Sequence, residues 1–210
     1  LIAFNFYTPK YNSAILPNNG TLIKESIYDT VLAIVKDQIG KKDEKYFPFI
    51  LSLFLFILFS NLIGMVPYSF TITSQIILTL SLSIAIIIGV TILGFYIHKL
   101  TFLSLFIPVG TPLGLVPLLV LIELISYLAR AVSLGVRLAA NVIAGHILLK
   151  ILSTFIYNFI KQSILFFIIG FLPILIFTAL VGLELAIAVL QAIVFIILTC
   201  SYIRDAIYLH

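Results

Sequence analysis

The chain has 210 residues, of which 62% are hydrophobic and only 10% charged, and its mean hydropathy is +1.27. Soluble globular domains carry about 25% charged residues, so composition excludes a soluble domain and predicts a single membrane domain over residues 1–210. The net charge of +4 does not indicate a nucleic-acid partner, because the cations lie mostly between apolar runs, where they fix membrane topology.

The N-terminal part contains an irregular segment and then an amphipathic one. Residues 1–20 include Pro9, Pro17 and a turn run, which predict irregular structure. The chain lacks an initiator Met, and we expect this segment to be the tail of a missing first helix. Residues 21–38 carry apolar side chains at helical spacing with charged side chains mostly off that stripe. They predict an amphipathic surface helix, although a helix packed on a partner subunit fits the pattern equally well.

Residues 47–97 predict a transmembrane hairpin. Two apolar runs, at about 47–66 and 75–97, each have the ~20 residues that a helix needs to cross a membrane. Residues 112–205 hold two far longer stretches with few prolines. A helix of forty residues would measure about 60 Å, twice the roughly 30 Å of hydrocarbon. We therefore predict a hairpin of two long, strongly tilted membrane helices; two ordinary crossings with short linkers are the competing layout.

The fold class that follows is an all-α integral membrane protein: an amphipathic surface helix, two transmembrane helices, and the long tilted hairpin. The placement of cations predicts its orientation. Only Lys150 and Lys161 fall on one side of the membrane, and the positive-inside rule puts the other, larger group in the matrix or cytoplasm. We expect the C-terminus on that inner side. The larger group is Lys36, Lys41, Lys42, Lys45, Lys99 and Arg204.

Ionisable side chains within the long stretches are the candidate functional residues, because charges are costly inside a membrane. Glu123, Arg130 and Arg137 are seven residues apart, nearly two helical turns, so they share one face, and Asn141 joins it one turn later. Small residues around Arg137 would let another helix approach closely. The chain offers no obvious acid opposite Arg137, so we infer that its partner carboxylate comes from another subunit.

The second long stretch carries its own polar residues. Glu184 and Gln191 are seven apart and share a face, and Asp205 follows near the end. His146 is nine residues from Arg137, which on a straight helix points it to the opposite face. Either the helix curves or unwinds there, or His146 faces Glu184; we favour the second alternative.

These residue types can move protons past a fixed charge. An arginine cannot be deprotonated in proteins, so Arg137 can block direct leakage and favour deprotonation of a carboxylic acid moving past it. Side chains such as Glu123 and His146 can line aqueous half-channels on either side of it. Two half-channels separated by a permanent cation would pass a proton only if a rotor carried it between them.

Residues 133–146, Ser-Leu-Gly-Val-Arg-Leu-Ala-Ala-Asn-Val-Ile-Ala-Gly-His, resemble the central signature of the ATP synthase subunit a family. Stretches at 61–74, 110–120 and 184–192 agree with it, in matching order over residues 22–210. The resemblance implies a proton-translocating stator subunit in the mitochondrial inner membrane. It also implies three kinds of contact: the rotating ring of c subunits, the peripheral stalk with other small membrane subunits, and the lipid bilayer.

The resemblance further implies a role for individual residues. Arg137 matches the essential arginine that faces the c-ring, and Asn141 and Gln191 match its polar neighbours. His146 and Glu184 match the pair that lines the inlet half-channel, which opens to the intermembrane space. Their order along the chain, His first and Glu second, is similar to that of mitochondrial members.

Three more residues match the family with less central roles. Glu123 and Asp205 match acidic positions of the outlet half-channel, which opens to the matrix, and Asn61 matches a polar position near the inlet. The sequence contains no metal-ligand spacing and no glycine-rich nucleotide loop. We therefore expect no cofactor, no metal, and no nucleotide site in what would be a non-catalytic channel subunit.

Other function classes would leave different patterns. A secondary transporter, the main alternative, predicts inverted repeats and Gly- or Pro-broken helix pairs, and the halves show no repeated pattern. An intramembrane hydrolase needs a nucleophile with a base, or a metal dyad, within its spans. Another proton-pumping complex subunit, as in a respiratory dehydrogenase, would share buried Glu, Lys and His but have more spans.

Overall fold

A computed structural model of the chain describes residues 19–65, 72–99, 101–102, 115–162 and 171–208. Regular structure within these ranges is entirely helical. The predicted irregular start lies outside the described residues, except that Asn19 and Gly20 already belong to the first helix. The α-helices are α1 (Asn19–Gln38), α2 (Phe47–Gly64), α3 (Ile76–His98), α4 (Val116–Gln162) and α5 (Phe171–Ile207). Short 3-10 turns at Lys41–Tyr46 and Ile72–Ser74 precede α2 and α3.

Four segments of the described chain are long and apolar enough to cross a membrane, one along each of α2 to α5, and the first of them begins in the 3-10 turn before α2. This confirms the predicted fold class of an all-α integral membrane protein. The segments are Glu44–Gly64, Ile76–His98, Val116–Asn158 and Pro173–Ile207.

The last two helices are far longer than a membrane requires. α4 runs unbroken for 47 residues and α5 for 37, so α4 measures about 70 Å against roughly 30 Å of hydrocarbon. Their continuity disfavours the competing layout of ordinary crossings with linkers. Strong tilt and a hairpin arrangement remain predictions.

The chain divides into two compact units, each built from pieces of several helices. One unit comprises Leu58–Ile84 and Leu128–Ala192, and the other comprises Leu1–Ile57, Ala85–Tyr127 and Ile193–His210. The first of these is called the arginine unit below, because it contains Arg137, and the other is called the terminal unit.

In the terminal unit, the apolar stripe of α1 is buried in its later turns and exposed near its start. Val31 and Val35 are buried within the chain, whereas Ile23 near the start of the helix is exposed. An edge-on contact between Tyr28 and Phe47, with ring centroids 4.7 Å apart, links α1 to the first residue of α2. The stripe therefore packs partly on its own chain, which neither interpretation of residues 21–38 included.

The C-terminal end of α3 is fixed by contacts within the same unit. His98 Nε2 lies 2.9 Å from the carbonyl oxygen of Ile207, at the last residue of α5. The Phe102 ring packs against Gly94, where a β-carbon would collide with it. Further up the helix, the hydroxyl groups of Thr91 and Tyr127 are hydrogen-bonded at 2.9 Å, which joins α3 to α4. These contacts hold the ends of three helices together.

Candidate functional site

Arg137 projects from the exposed side of α4. The opposite side of the helix is packed, with four side chains at helical spacing that are at most 5% exposed: Ala131, Leu134, Leu138 and Ala139. Ser133, Val136 and Ala140 surround Arg137 and are exposed like it. A helix with this division buries its apolar face in the chain and presents the arginine outward.

The Arg137 guanidinium has one weak polar contact within the described part of the chain. Its Nη2 donates to the Ser133 hydroxyl, one turn earlier, at 3.5 Å. None of the described carboxylates forms an ion pair with it. Because charges are costly inside a membrane, an exposed guanidinium that has no carboxylate partner among the described residues is a candidate functional group.

Glu184 packs against α4 within the arginine unit. Its side chain is only 9% exposed. A β-carbon at Gly145 would lie 2.5 Å from Glu184 Oε1 and 2.8 Å from its Cδ, so the carboxyl group fills the space that this glycine leaves. His146, the next residue, is within electrostatic range of Glu184. The structure thus favours the second alternative for His146, in which it faces α5.

Asn61 joins α2 to the same part of α5. It is 3% exposed, and its Nδ2 donates to the carbonyl oxygen of Ala188 at 3.2 Å. Ala188 lies one turn beyond Glu184. Asn61 Oδ1 and Glu184 Oε2 are both buried without a hydrogen-bond partner in the described part of the chain. Buried polar atoms normally have hydrogen-bond partners. Each of these two oxygens can therefore accept a further hydrogen bond.

Asn141 and Gln191 are half-buried in the same unit. Asn141 follows Arg137 by one turn, as predicted from spacing. Neither side chain forms a hydrogen bond with Arg137 within the described residues. The structure therefore places these two residues in the unit of the arginine, without joining them to it.

Glu123 and Asp205 belong to the terminal unit, where both are half-buried. Asp205 lines a cavity of about 680 Å³ between the end of α1 and the last turns of α5. Arg204, Asp37 and Tyr208 are among its other lining residues. The two acids thus lie in a different unit from Arg137, and this cavity is lined by Asp205 and not by Glu123.

Sequence reasoning missed several of these neighbours. Asp37 lines the cavity of Asp205, although the sequence marks it only as a charge off the apolar stripe. Gly135 and Gly145 are among the small residues near Arg137 in the sequence, but their individual contacts depend on which helix lies opposite. No periodicity within one helix carries that information. Within the described residues, no group of three or more His, Cys, Asp or Glu side chains could hold a metal ion.

A multi-pass helical chain with an outward-facing arginine and a buried carboxylate beside an imidazole is typical of membrane proteins that carry protons or ions. Comparison with known proteins narrows the class. The family model described as ATP synthase A chain matches residues 1–204. The chain belongs to this ATP synthase A chain family.

The chain is similar to its relatives along its whole length and spans about four fifths of theirs. ATP synthase subunit a of Emericella nidulans is 56% identical over 211 residues, which cover 100% of this chain and 82% of the relative. The Podospora anserina protein of the same name is 53% identical, with 100% and 80% covered. The Brassica napus protein is 51% identical over 215 residues, with 100% and 83% covered. The predicted family is confirmed, and the chain is the proton-translocating stator subunit of an F-type ATP synthase, acting with other subunits of the complex.

Proposed function

We propose that Arg137 separates two aqueous half-channels and faces a ring of c subunits, whose carboxylates carry protons between them. One observation carries this proposal: the guanidinium is exposed on α4, and Ser133 is its single hydrogen-bond partner within the described chain. A charge held in a membrane without a counter-ion is expensive. A carboxylate arriving from a neighbouring subunit would compensate it.

Arg137 acts electrostatically in this scheme. A guanidinium stays protonated and cannot relay a proton. Its positive charge favours the ionised form of a carboxylic acid that approaches it, so a ring carboxyl group loses its proton on the outlet side before passing. The same charge repels a proton that would cross directly from one half-channel to the other.

Glu184, His146 and Asn61 form the inlet. The Glu184 carboxyl group is buried against Gly145, beside His146, and Asn61 binds the same helix one turn further on. Carboxylate and imidazole groups can each accept and release a proton. A proton from the intermembrane space passes along these groups to an ionised ring carboxylate.

Glu123 and Asp205 form the outlet. Asp205 lies in the cavity at the ends of α1 and α5, where its carboxylate can accept a proton and release it to the matrix. Glu123, on α4, precedes it on the path. Asn141 and Gln191 provide polar groups near the arginine, where the ring carboxyl group exchanges its counter-charge.

We infer that the chain lies in the mitochondrial inner membrane with its C-terminus in the matrix. The relatives come from fungi and a plant, in agreement with the mitochondrial order of His146 and Glu184. The larger group of cations lies on the side of α1, the end of α3 and the end of α5. The positive-inside rule assigns that side to the matrix.

Replacing Arg137 by Ala tests the proposal. We expect the complex to assemble, because the side chain is exposed and makes one weak contact, and ATP-driven proton pumping per assembled complex to be abolished. Lys150→Ala, which removes an exposed cation from the same helix, serves as the control and should pump normally. Coupled pumping retained by the Arg137→Ala enzyme would overturn the proposed mechanism.

A further inference from the structure

α4 crosses α3 at very short range at Gly135. A β-carbon on this residue would lie 2.6 Å from Ser83 Oγ, 2.8 Å from the carbonyl oxygen of Thr79 and 2.9 Å from Leu80 Cα. Two of these three atoms belong to the backbone of α3 and cannot rotate away. The crossing therefore tolerates no side chain at position 135 unless the helices separate.

The α3 side of the crossing has little freedom to adjust. Thr79 and Ser83 are both fully buried. The Thr79 hydroxyl donates to the carbonyl oxygen of Ile76 at 3.1 Å, and the Ser83 hydroxyl donates to that of Leu80 at 3.0 Å. Because carbon atoms in contact prefer a separation of about 3.5 to 4.0 Å, an added methyl group would push α4 away by about half an ångström or more.

Gly135 and Arg137 lie on opposite sides of α4. Two residues correspond to a rotation of about 200° around a helix. Gly135 is buried and Arg137 exposed, as this rotation requires. A displacement of α4 away from α3 therefore carries the guanidinium outward, in the direction of the surface to which Arg137 points.

We propose that Gly135 is a positioning residue for Arg137: its missing side chain sets how closely α4 approaches α3, and so how far the guanidinium reaches toward the passing carboxylate. This inference rests on the role proposed above for Arg137. In reactions that depend on placement, an error of about 1 Å can reduce rates by up to ~100-fold. We expect a smaller shift here to reduce proton pumping roughly tenfold.

The test uses the assembled ATP synthase with Gly135→Ala in this chain. Gly89→Ala is the matched control, because a β-carbon at Gly89 meets nothing within 4 Å. Pumping is measured per assembled complex. A second reading is the rate of disulfide formation between Ala140→Cys, on the exposed face beside Arg137, and a cysteine introduced next to the ring carboxylate. We expect Gly135→Ala to assemble, to pump about tenfold more slowly and to change the disulfide rate, while Gly89→Ala changes neither.

Wild-type pumping and an unchanged disulfide rate in Gly135→Ala would overturn the inference. If that variant does not assemble, Ser83→Thr adds a methyl group from the α3 side of the same contact and should give a milder form of both changes. Normal behaviour of Ser83→Thr, or loss of assembly in both variants, would show that the contact serves folding instead of placement. Coupled pumping by Arg137→Ala would instead refute the proposed function itself, which keeps the two failures distinct.

Discussion

At the scale of single residues, the arginine unit contains two contrasting ionisable side chains. Arg137 is exposed, and Ser133 is its single hydrogen-bond partner within the described residues. Glu184 is buried, packed on Gly145 and close to His146. An exposed permanent charge suits a surface that meets a moving partner. A buried carboxyl group with a titratable neighbour suits a step in a proton path.

Glu184 should matter more than His146 to the flow of protons into the complex. Glu184→Gln keeps the shape of the side chain but removes the group that can bind and release a proton. His146→Ala leaves that carboxyl group in place. We expect the glutamine variant to slow ATP-driven pumping about tenfold or more, and the alanine variant to slow it less, both measured in vesicles per assembled complex.

The control for this comparison is a polar residue of α5 outside the proposed inlet. Thr178→Ala alters an exposed polar residue of the same helix, whose hydroxyl donates to the carbonyl oxygen of Ile174 one turn earlier, and should pump normally. Wild-type flux in the Glu184→Gln enzyme would refute the inlet role of Glu184.

At the scale of helices, glycines decide how closely neighbours pack. α4 meets the Glu184 carboxyl group at Gly145 and the backbone of α3 at Gly135. These two contacts lie on different helical neighbours, and both need the absence of a β-carbon. Close helix approach through small residues is common in membranes. Here it leaves room for a functional group in one case and for a backbone in the other.

Gly145→Ala should displace the Glu184 carboxyl group, because the new methyl group would lie 2.5 Å from Oε1. The side chain is flexible, so we expect the complex to assemble and the pumping rate to fall severalfold. Gly182→Ala provides a matched control: it lies two residues before Glu184, and its β-carbon would meet nothing within 4 Å. Equal pumping by the two alanine variants would contradict the packing described here.

The sequence predicted the helices well and their mutual contacts poorly. Long apolar runs determined α2 to α5 because a membrane demands about twenty apolar residues per crossing. Periodicity placed Arg137, Asn141 and Glu123 on one face. The hydrogen bond from Asn61 to Ala188 spans 127 positions, and no local pattern identifies such a pair.

At the scale of the whole molecule, the proposed orientation depends on the asymmetry of charge along the chain. Lys45 precedes α2 in the sequence, Lys161 lies in the last turn of α4, and both are exposed. Since cations concentrate on the inner side, Lys45 should face the matrix and Lys161 the intermembrane space.

A cysteine introduced at each of these two positions in turn tests the orientation, in mitochondria whose outer membrane has been removed and whose inner membrane is intact. A thiol reagent that cannot cross the membrane should label Lys161→Cys, while labelling of Lys45→Cys should require inverted inner-membrane vesicles. The native Cys200 is fully buried and should contribute little background. The reverse labelling pattern would show that the proposed orientation, and with it the sides assigned to inlet and outlet, is wrong.

The family itself was within reach of the sequence, whereas the distribution of the candidate residues over two units was not. Residues 133–146 carry a specific signature, because a charged residue in a helix otherwise made for lipid is rare. Asp205 and Asp37 come to line one cavity only through the packing of α1 beside the end of α5. Their separation by 168 positions in the chain hides that relation from any reading of local pattern.

The central claim is that the exposed face of α4 around Arg137 meets a carboxylate of the rotating ring. Cysteines introduced at two adjacent alanine positions test this claim most directly. Ala140 is exposed beside Arg137, and Ala139 is fully buried on the opposite face. In the assembled enzyme, we predict that Ala140→Cys forms a disulfide with a cysteine placed next to the ring carboxylate, and that Ala139→Cys does not. Disulfide formation from position 139 alone, or from neither position, would contradict the account.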